Sequence, residues 1–130
     1  MIIDIGENSG LLVGSRVFAY GNIPIGRVDT VYSDTSKVVL YSNNQEKTEV
    51  SLEGRDTFLQ IVGRGGGNFE MILPRDFSIT EGASVFLPGV YSYVIAKVET
   101  VISDPRDSFT KAILSSPVNI NELRFVQVQK

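Results

Sequence analysis

The chain has 130 residues, of which 42% are apolar, and a formal net charge of −3. This length allows one compact domain or two very small ones that lean on each other. The sequence contains neither histidine nor cysteine, which excludes a Ser-His-Asp triad, a Cys-His pair, disulfides and the usual zinc ligands. Its acidic balance, without any cluster of lysine and arginine, argues against nucleic acid because phosphate binding needs a basic face.

Short segments with apolar residues at alternate positions follow one another along the chain. β-Branched and aromatic residues dominate these segments, and Gly, Asn, Asp or Ser bound them, which is typical of strands. They lie at residues 16–20, 26–32, 36–41, 48–52, 57–62, 69–73, 84–87, 94–101, 109–114 and 124–128. The pattern predicts an all-β fold with strands spaced as in a barrel or a sandwich.

Two local signals complete this outline. Residues 63–68 form a glycine-rich stretch between two predicted strands. No Lys-Ser/Thr pair and no helix follows it, so we interpret it as a turn with positive φ angles and not as a phosphate loop. Residues 119–123 are the best candidate for helix, a single turn in which Asn119 caps the start and Glu122 reaches back to it.

The second half of the chain repeats the first. Residues 14–18 return 68 positions later as 82–86, and residues 26–34 return 70 positions later as 96–104. Residues 37–40 are matched to 111–114, after a longer turn. The matched segments keep their order, and the differences in length between them are confined to turns. This indicates an internal duplication. We therefore predict two small tandem β-barrels, residues 1–63 and 64–130, with the C-terminal strand able to return to the first unit.

The repeat also predicts the interior of each unit. Matched apolar residues should occupy equivalent core positions in the two barrels. The predicted pairs are Val17 and Val85, Val28 and Val98, Val31 and Val101, and Leu40 and Leu114.

Carboxylates are the only remaining candidates for acid–base or metal chemistry. They fall mostly in turns or at solvent-facing strand positions, which favours a solvated surface. An enzyme that uses carboxylates is the alternative, and two buried carboxyl groups with raised pKa values in a cleft would favour it. We expect no catalytic residues, no metal and no cofactor.

A contact surface is the more promising kind of site. The predicted turn at residues 87–93 is rich in apolar and aromatic residues, and such residues usually mark contact sites when they are exposed together. The same residues would equally suit a plug at the end of the barrel. The candidate contact residues are Leu87, Val90, Tyr91, Tyr93, Phe69 and Met71.

Several motifs occur together in a family-specific order. Residues 4–14 are similar to the opening Asp-x-Gly-x-x-x-Gly-hydrophobic-x-x-Gly, and Ile25–Val28 is similar to a Gly-x-Val strand. The glycine turn at 63–68, the segment at 79–86 and the closing Pro…Leu-x-x-Val-x-Val at 117–128 continue the series. Over nearly its whole length the chain resembles the extracytoplasmic β-domain of the rod shape-determining protein MreC family. Ala96 stands where that family usually has glycine.

The resemblance implies a function. It implies a non-catalytic scaffold of the bacterial cell-elongation machinery, which maintains rod shape and peptidoglycan synthesis. It further implies self-association, binding to penicillin-binding transpeptidases and other elongation proteins, and a periplasmic or extracytoplasmic location with a membrane anchor upstream. The alternative is a β-barrel module of an efflux or secretion adaptor, whose strands are similarly short and punctuated by glycine.

Overall fold

The computed structural model describes residues 1–52, 57–75, 77–89 and 91–129. Within these residues strands dominate, which confirms the all-β prediction. The strands are β1 (Ile2–Ile3), β2 (Arg16–Ala19), β3 (Ile23–Val31), β4 (Ser36–Leu40), β5 (Lys47–Leu52), β6 (Phe58–Gly65), β7 (Asn68–Pro74), β8 (Ser84–Leu87), β9 (Tyr93–Ser103), β10 (Phe109–Ser115) and β11 (Gln127–Val128). Short 3₁₀ helices cover Glu7–Ser9 and Ile120–Glu122. The second is the predicted helical turn, and Asn119 Oδ1 accepts a hydrogen bond from the Asn121 N–H at its start.

The strands form two antiparallel units. β5 to β10 make a closed six-stranded barrel in the order β5-β6-β7-β10-β9-β8, called the barrel below. β1 to β4 and β11 make a five-stranded sheet in the order β1-β4-β3-β2-β11, called the first unit. The predicted tandem architecture is confirmed, with the difference that the sheet of the first unit stays open.

The boundary between the two units lies at a different place in the chain from the predicted one. The predicted boundary between residues 63 and 64 falls inside β6. The chain passes from the first unit to the barrel between β4 and β5, and β11 returns to pair with β2. The sequence repeat covers only the three-stranded meanders β2-β3-β4 and β8-β9-β10, so it carried no information on which unit the other strands join.

Hydrogen-bond register shows the duplication directly. Val17 lies opposite Gly26, and Val85 lies opposite Ala96, with a β-bulge directly after each valine. Before each of these strands, a glycine N–H donates to the carbonyl of the matched valine on the next strand, at 2.8 Å in the first unit and 2.7 Å in the barrel. β2 and β3 are therefore equivalent to β8 and β9, residue by residue.

The third matched segment needs a correction. Val28 lies opposite Val38, whereas Val98 lies opposite Leu114. Leu114 therefore corresponds to Val38 and not to Leu40, because the longer turn between β9 and β10 adds two more residues than the sequence match assumed. Burial agrees, since Val38 and Leu114 are both buried and Leu40 is only half-buried.

Each unit encloses its own apolar cluster. Five of the eight predicted core residues are buried, namely Val17, Val28, Val85, Val98 and Leu114. The other three are half-buried and pack against the rims of the same clusters, namely Val31, Leu40 and Val101. The core prediction is therefore confirmed for five of the eight residues, and Val38 takes the place assigned to Leu40.

The glycine-rich stretch is the turn between β6 and β7, and it packs against the β4–β5 connection between the two units. Gly65, Gly66 and Gly67 have φ angles of 90°, 62° and 85°, which confirms the predicted turn. Ser42, between β4 and β5, accepts a hydrogen bond from the Gly65 N–H through its carbonyl and another from the Gly67 N–H through its hydroxyl. Gly63 lies so close to the Asn43 carbonyl oxygen that a side chain there would collide with backbone.

Candidate protein-contact surfaces

The predicted contact loop closes the hairpin between β8 and β9. Leu87 pairs with Tyr93 across its base. The Arg16 guanidinium donates a hydrogen bond of 2.7 Å to the Pro88 carbonyl, and the rings of Phe18 and Tyr93 lie 4.8 Å apart. These contacts hold one side of the loop against the first unit. Tyr91 stays 69% exposed, and Val90 lies outside the described residues.

Burial corrects half of the predicted contact residues. Phe69, Met71 and Leu87 are at most 5% exposed and belong to the apolar cluster of the barrel. They occupy the inward positions of β7 and β8, since successive side chains of a strand point to opposite faces. A partner cannot reach them in the folded barrel. Tyr91 is exposed and Tyr93 is half-buried, so both tyrosines remain candidates from that set, and Val90 stays a prediction outside the described residues.

A second apolar surface lies on the outside of the barrel. Ile72 on β7, Ile102 on β9 and Phe109 on β10 are 53%, 52% and 61% exposed. We call these three residues the barrel outer patch. Lys111 lies opposite both Ile72 and Ile102 in the ladder, so the three strands present these side chains side by side. Sequence reasoning missed this patch, although the unbroken apolar run 71–73 signals an apolar residue on the outward face.

An ion-pair cluster reaches into the barrel outer patch, because its Lys111 lies between Ile72 and Ile102. Glu70 accepts a hydrogen bond of 2.7 Å from the Arg64 guanidinium and lies 3.1 Å from the Lys111 ammonium. The Arg64 hydrogen bond is the main reason why the pKa of Glu70 lies below its ordinary value. The Glu70 carboxylate is thus ionised and paired at neutral pH, which does not suit a proton donor. Apolar residues framed by charged ones are typical of contact surfaces.

A third feature is a groove at the open side of the first unit. It runs between β1 and the segment that leads into β11, and its volume is about 400 Å³. Ile2 and Phe125 stand at its rim, 61% and 81% exposed. We call it the edge groove, and it is lined by Met1, Ile2, Ile3, Asp4, Ile5, Leu123, Arg124, Phe125, Val126 and Val128.

In the described parts of the chain, no three Asp or Glu side chains come together as a possible metal site. The helices of those parts are too short to cross a membrane. The expectation of no catalytic residue, metal or cofactor stays a prediction.

The fold and its surfaces together define a class of protein: a duplicated β-domain that offers apolar surface and unpaired strand edges. Comparison with known families gives the particular member of that class. The family model described as "Rod shape-determining protein MreC, barrel core" matches residues 1–130. The chain belongs to the rod shape-determining protein MreC family.

Solved structures support the same fold. A structure described as "MreC" is 25% identical and superposes with a TM-score of 0.87 over 98% of this chain and 76% of its own. MreC from Pseudomonas aeruginosa is 24% identical, with a TM-score of 0.88 over 99% and 87% of the two chains. A third, described as the major periplasmic domain of the cell shape-determining filament MreC, is 17% identical, with a TM-score of 0.66 over 90% and 77%. Among curated proteins no match was found.

Proposed function

We propose that this chain is a non-catalytic scaffold domain of the bacterial cell-elongation machinery. It would act in peptidoglycan synthesis by self-association and by binding penicillin-binding transpeptidases. Membership of a rod shape-determining family supports the proposal. One similar structure is described as a periplasmic domain, which supports a periplasmic or extracytoplasmic location, with a membrane anchor upstream of the present residues.

The barrel outer patch is the observation that carries the binding part of the proposal. The barrel is closed, with each of its six strands paired on both sides, so we expect it to bind a partner through side chains. Ile72, Ile102 and Phe109 supply apolar side chains on three adjacent strands. Such clusters, surrounded by a polar rim, contribute most of the binding energy at interfaces. Tyr91 of the β8–β9 loop remains a further proposed contact.

The test is a binding measurement with the periplasmic domain of an elongation-specific penicillin-binding transpeptidase. We expect the double variant Ile102→Ser/Phe109→Ser to bind about tenfold or more weakly, because two central apolar contacts are lost. Its melting temperature should stay close to that of the unmodified chain, since both side chains are more than half exposed.

The matched control is Leu12→Ser/Val13→Ser in the first unit, where the two side chains are 72% and 68% exposed. This control removes comparable exposed apolar surface from the first unit. Equal affinity of both double variants for the transpeptidase would refute the assignment of the barrel outer patch.

A further inference from the structure

The barrel outer patch lines a groove of about 610 Å³ on the outside of the barrel, called the barrel groove below. Besides the three apolar residues of the patch, the lining includes Lys111 of β10. It also includes four residues of the turn at 104–108, called the β9–β10 turn. An apolar surface and a polar turn therefore meet in one site.

Hydrogen bonds hold the β9–β10 turn against the end of β7. The backbone N–H of Arg75 donates to the Ser108 carbonyl at 3.0 Å, and the Arg75 guanidinium donates to the Pro105 carbonyl. Within the turn, the Asp107 N–H donates to the Asp104 carbonyl at 2.9 Å. The barrel groove is therefore formed before a partner arrives, which lowers the cost of ordering on binding.

Three of the four charged side chains that line the barrel groove are already neutralised. Arg106 donates two side-chain hydrogen bonds to the carboxylate of Asp104, at 3.1 and 3.2 Å, and they lower the pKa of Asp104. The ammonium of Lys111 lies 3.1 Å from one oxygen of Glu70. Arg64 binds the other oxygen of that carboxylate and is not part of the lining. Each of the three thus has a partner of opposite charge within the protein.

Asp107 is the fourth charged residue of the lining, and it is exposed. Within the part of the chain that the structure describes, its carboxylate forms no ion pair. The turn holds Asp107 through its backbone N–H. Asp107 therefore presents an uncompensated negative charge beside the barrel outer patch. A cation on the partner complements this charge, whereas an anion is repelled by it.

An acidic segment fits the barrel groove less well than a basic one. Its carboxylate would compete with Asp104 for Arg106, or with Glu70 for Lys111. The Glu70 side chain is only 13% exposed, so the loss of Lys111 would leave a poorly hydrated carboxylate with one cation fewer. The acidic segment would also approach Asp107.

We propose that the barrel groove selects its partner by charge. It binds a segment in which a lysine or arginine stands beside apolar side chains, with the cation on Asp107 and the apolar side chains on the barrel outer patch. This selectivity rests on the proposed function, since the segment would belong to the transpeptidase. The apolar contacts supply most of the affinity, and the charge pair discriminates against acidic segments. Asp107 is thus a specificity-determining residue.

The first test measures the affinity of Asp107 variants for the periplasmic domain of the transpeptidase. Asp107→Asn should bind about threefold to fivefold more weakly, as expected for the loss of one exposed charge pair, and Asp107→Lys about tenfold or more. Added salt should weaken binding of the unmodified chain more steeply than binding of Asp107→Asn. Both variants should keep the melting temperature, because the turn holds Asp107 through its backbone.

Glu49 on β5 supplies the matched control. It is exposed, and β5 lies three strands away from β10 in either direction around the six-stranded ring. Glu49→Gln and Glu49→Lys change the net charge by the same amounts as the two Asp107 variants, so they correct for long-range electrostatics. We expect both to bind the transpeptidase with the affinity of the unmodified chain.

A second test does not depend on the transpeptidase. Three synthetic peptides of seven residues alternate leucine with serine and carry lysine, glutamine or glutamate at the central serine position. We expect the lysine peptide to shift the NMR signals of Ile102, Asp107 and Phe109, and the glutamate peptide to bind about fivefold more weakly. Asp107→Asn should remove most of this difference, whereas Glu49→Gln should preserve it.

The outcomes separate the charge selection from the proposed function. Suppose that Ile102→Ser/Phe109→Ser weakens transpeptidase binding while the Asp107 variants match their Glu49 controls. The contact then stands and the charge selection is overturned. Tighter binding of Asp107→Lys would also overturn it, since the partner segment would then be acidic.

The peptides decide if the transpeptidase does not bind the barrel outer patch. An absence of peptide binding, equal affinity of the three peptides, or shifts confined to other surfaces would overturn the charge selection. A preference for the lysine peptide that Asp107→Asn removes would support it, with a protein other than the transpeptidase as the partner.

Discussion

Single residues set the electrostatics of the barrel wall. Glu70 has a side chain only 13% exposed and two cationic neighbours, Arg64 and Lys111. Partial burial by itself would raise its pKa, but the hydrogen bond from Arg64 outweighs this and the pKa is lowered. The ion pair ties β6, β7 and β10 together on the outside of the barrel. Its contribution should therefore depend on pH.

The pH dependence has a defined sign. A carboxyl group with a lowered pKa in the folded state stabilises the fold above its ordinary pKa near 4.5, and this contribution is lost as pH falls through the lower folded value. Glu70→Gln should cost about 1 kcal/mol at neutral pH. The difference from the unmodified chain should shrink below pH 4.5.

Urea denaturation at pH 7 and at pH 3 measures this difference. Glu81→Gln, at an exposed position, is the control and should change the free energy of unfolding little at either pH. A cost of Glu70→Gln that stays constant down to pH 3 would contradict the ion-pair explanation.

At the scale of the elements, the two copies share both their strands and the β-bulges within them. Asp29 is the extra residue of a bulge in β3, and Glu99 is the extra residue of the matched bulge in β9. Both side chains are exposed, as expected where a bulge turns one residue out of the ladder. The bulges keep Val28 and Val98 directed into their cores.

Equivalent positions should respond equally to truncation. Val28→Ala and Val98→Ala each remove buried methyl groups, because these valines are 1% and 2% exposed. We expect each to lower the free energy of unfolding by about 2 kcal/mol. Val13→Ala, at a position 68% exposed, should change it by less than about 0.5 kcal/mol. Chemical denaturation gives the three values, and a cost confined to one of the two units would contradict their equivalence.

Some elements of the fold could be predicted from the sequence and others could not. Repeated segments predicted the two meanders because alternation and glycine positions are local signals. The same reasoning failed for β4 and β10, where Leu40 was matched to Leu114, since only register shows that the turn is longer. β1 escaped prediction because two residues are too few to show a period. The edge groove depends on how β1 and the segment before β11 are placed by the sheet, and no local pattern encodes that.

At the scale of the whole molecule, the glycine stretch packs against the connection between the two units. Gly63 packs on the backbone of the β4–β5 connection, and its N–H donates to the Glu46 carbonyl. Tyr41, at the start of the same connection, is buried in the core of the barrel, and burial raises its pKa. The units therefore share a packed joint and not a free linker.

The joint should not accept a side chain at Gly63. Gly63→Ala places a methyl group against the Ser42 and Asn43 backbone, so we expect a loss of about 3 kcal/mol. Gly10→Ala, where no atom lies within 4 Å but φ is +76°, should cost only about 1 kcal/mol through backbone strain. Thermal unfolding compares the two, and a Gly63→Ala variant as stable as Gly10→Ala would show that the joint can open.

The return of β11 to the first unit determines how load would travel through the chain. Met1 and Gln129 both bond to strands of the first unit, so a pull applied at these two residues enters and leaves through the first unit. The barrel strands β5 to β10 are inserted in the chain between β4 and β11. A force transmitted through the first unit therefore does not have to pass through the barrel. A scaffold arranged in this way can carry strain through the first unit while the barrel presents an undistorted face to whatever it binds.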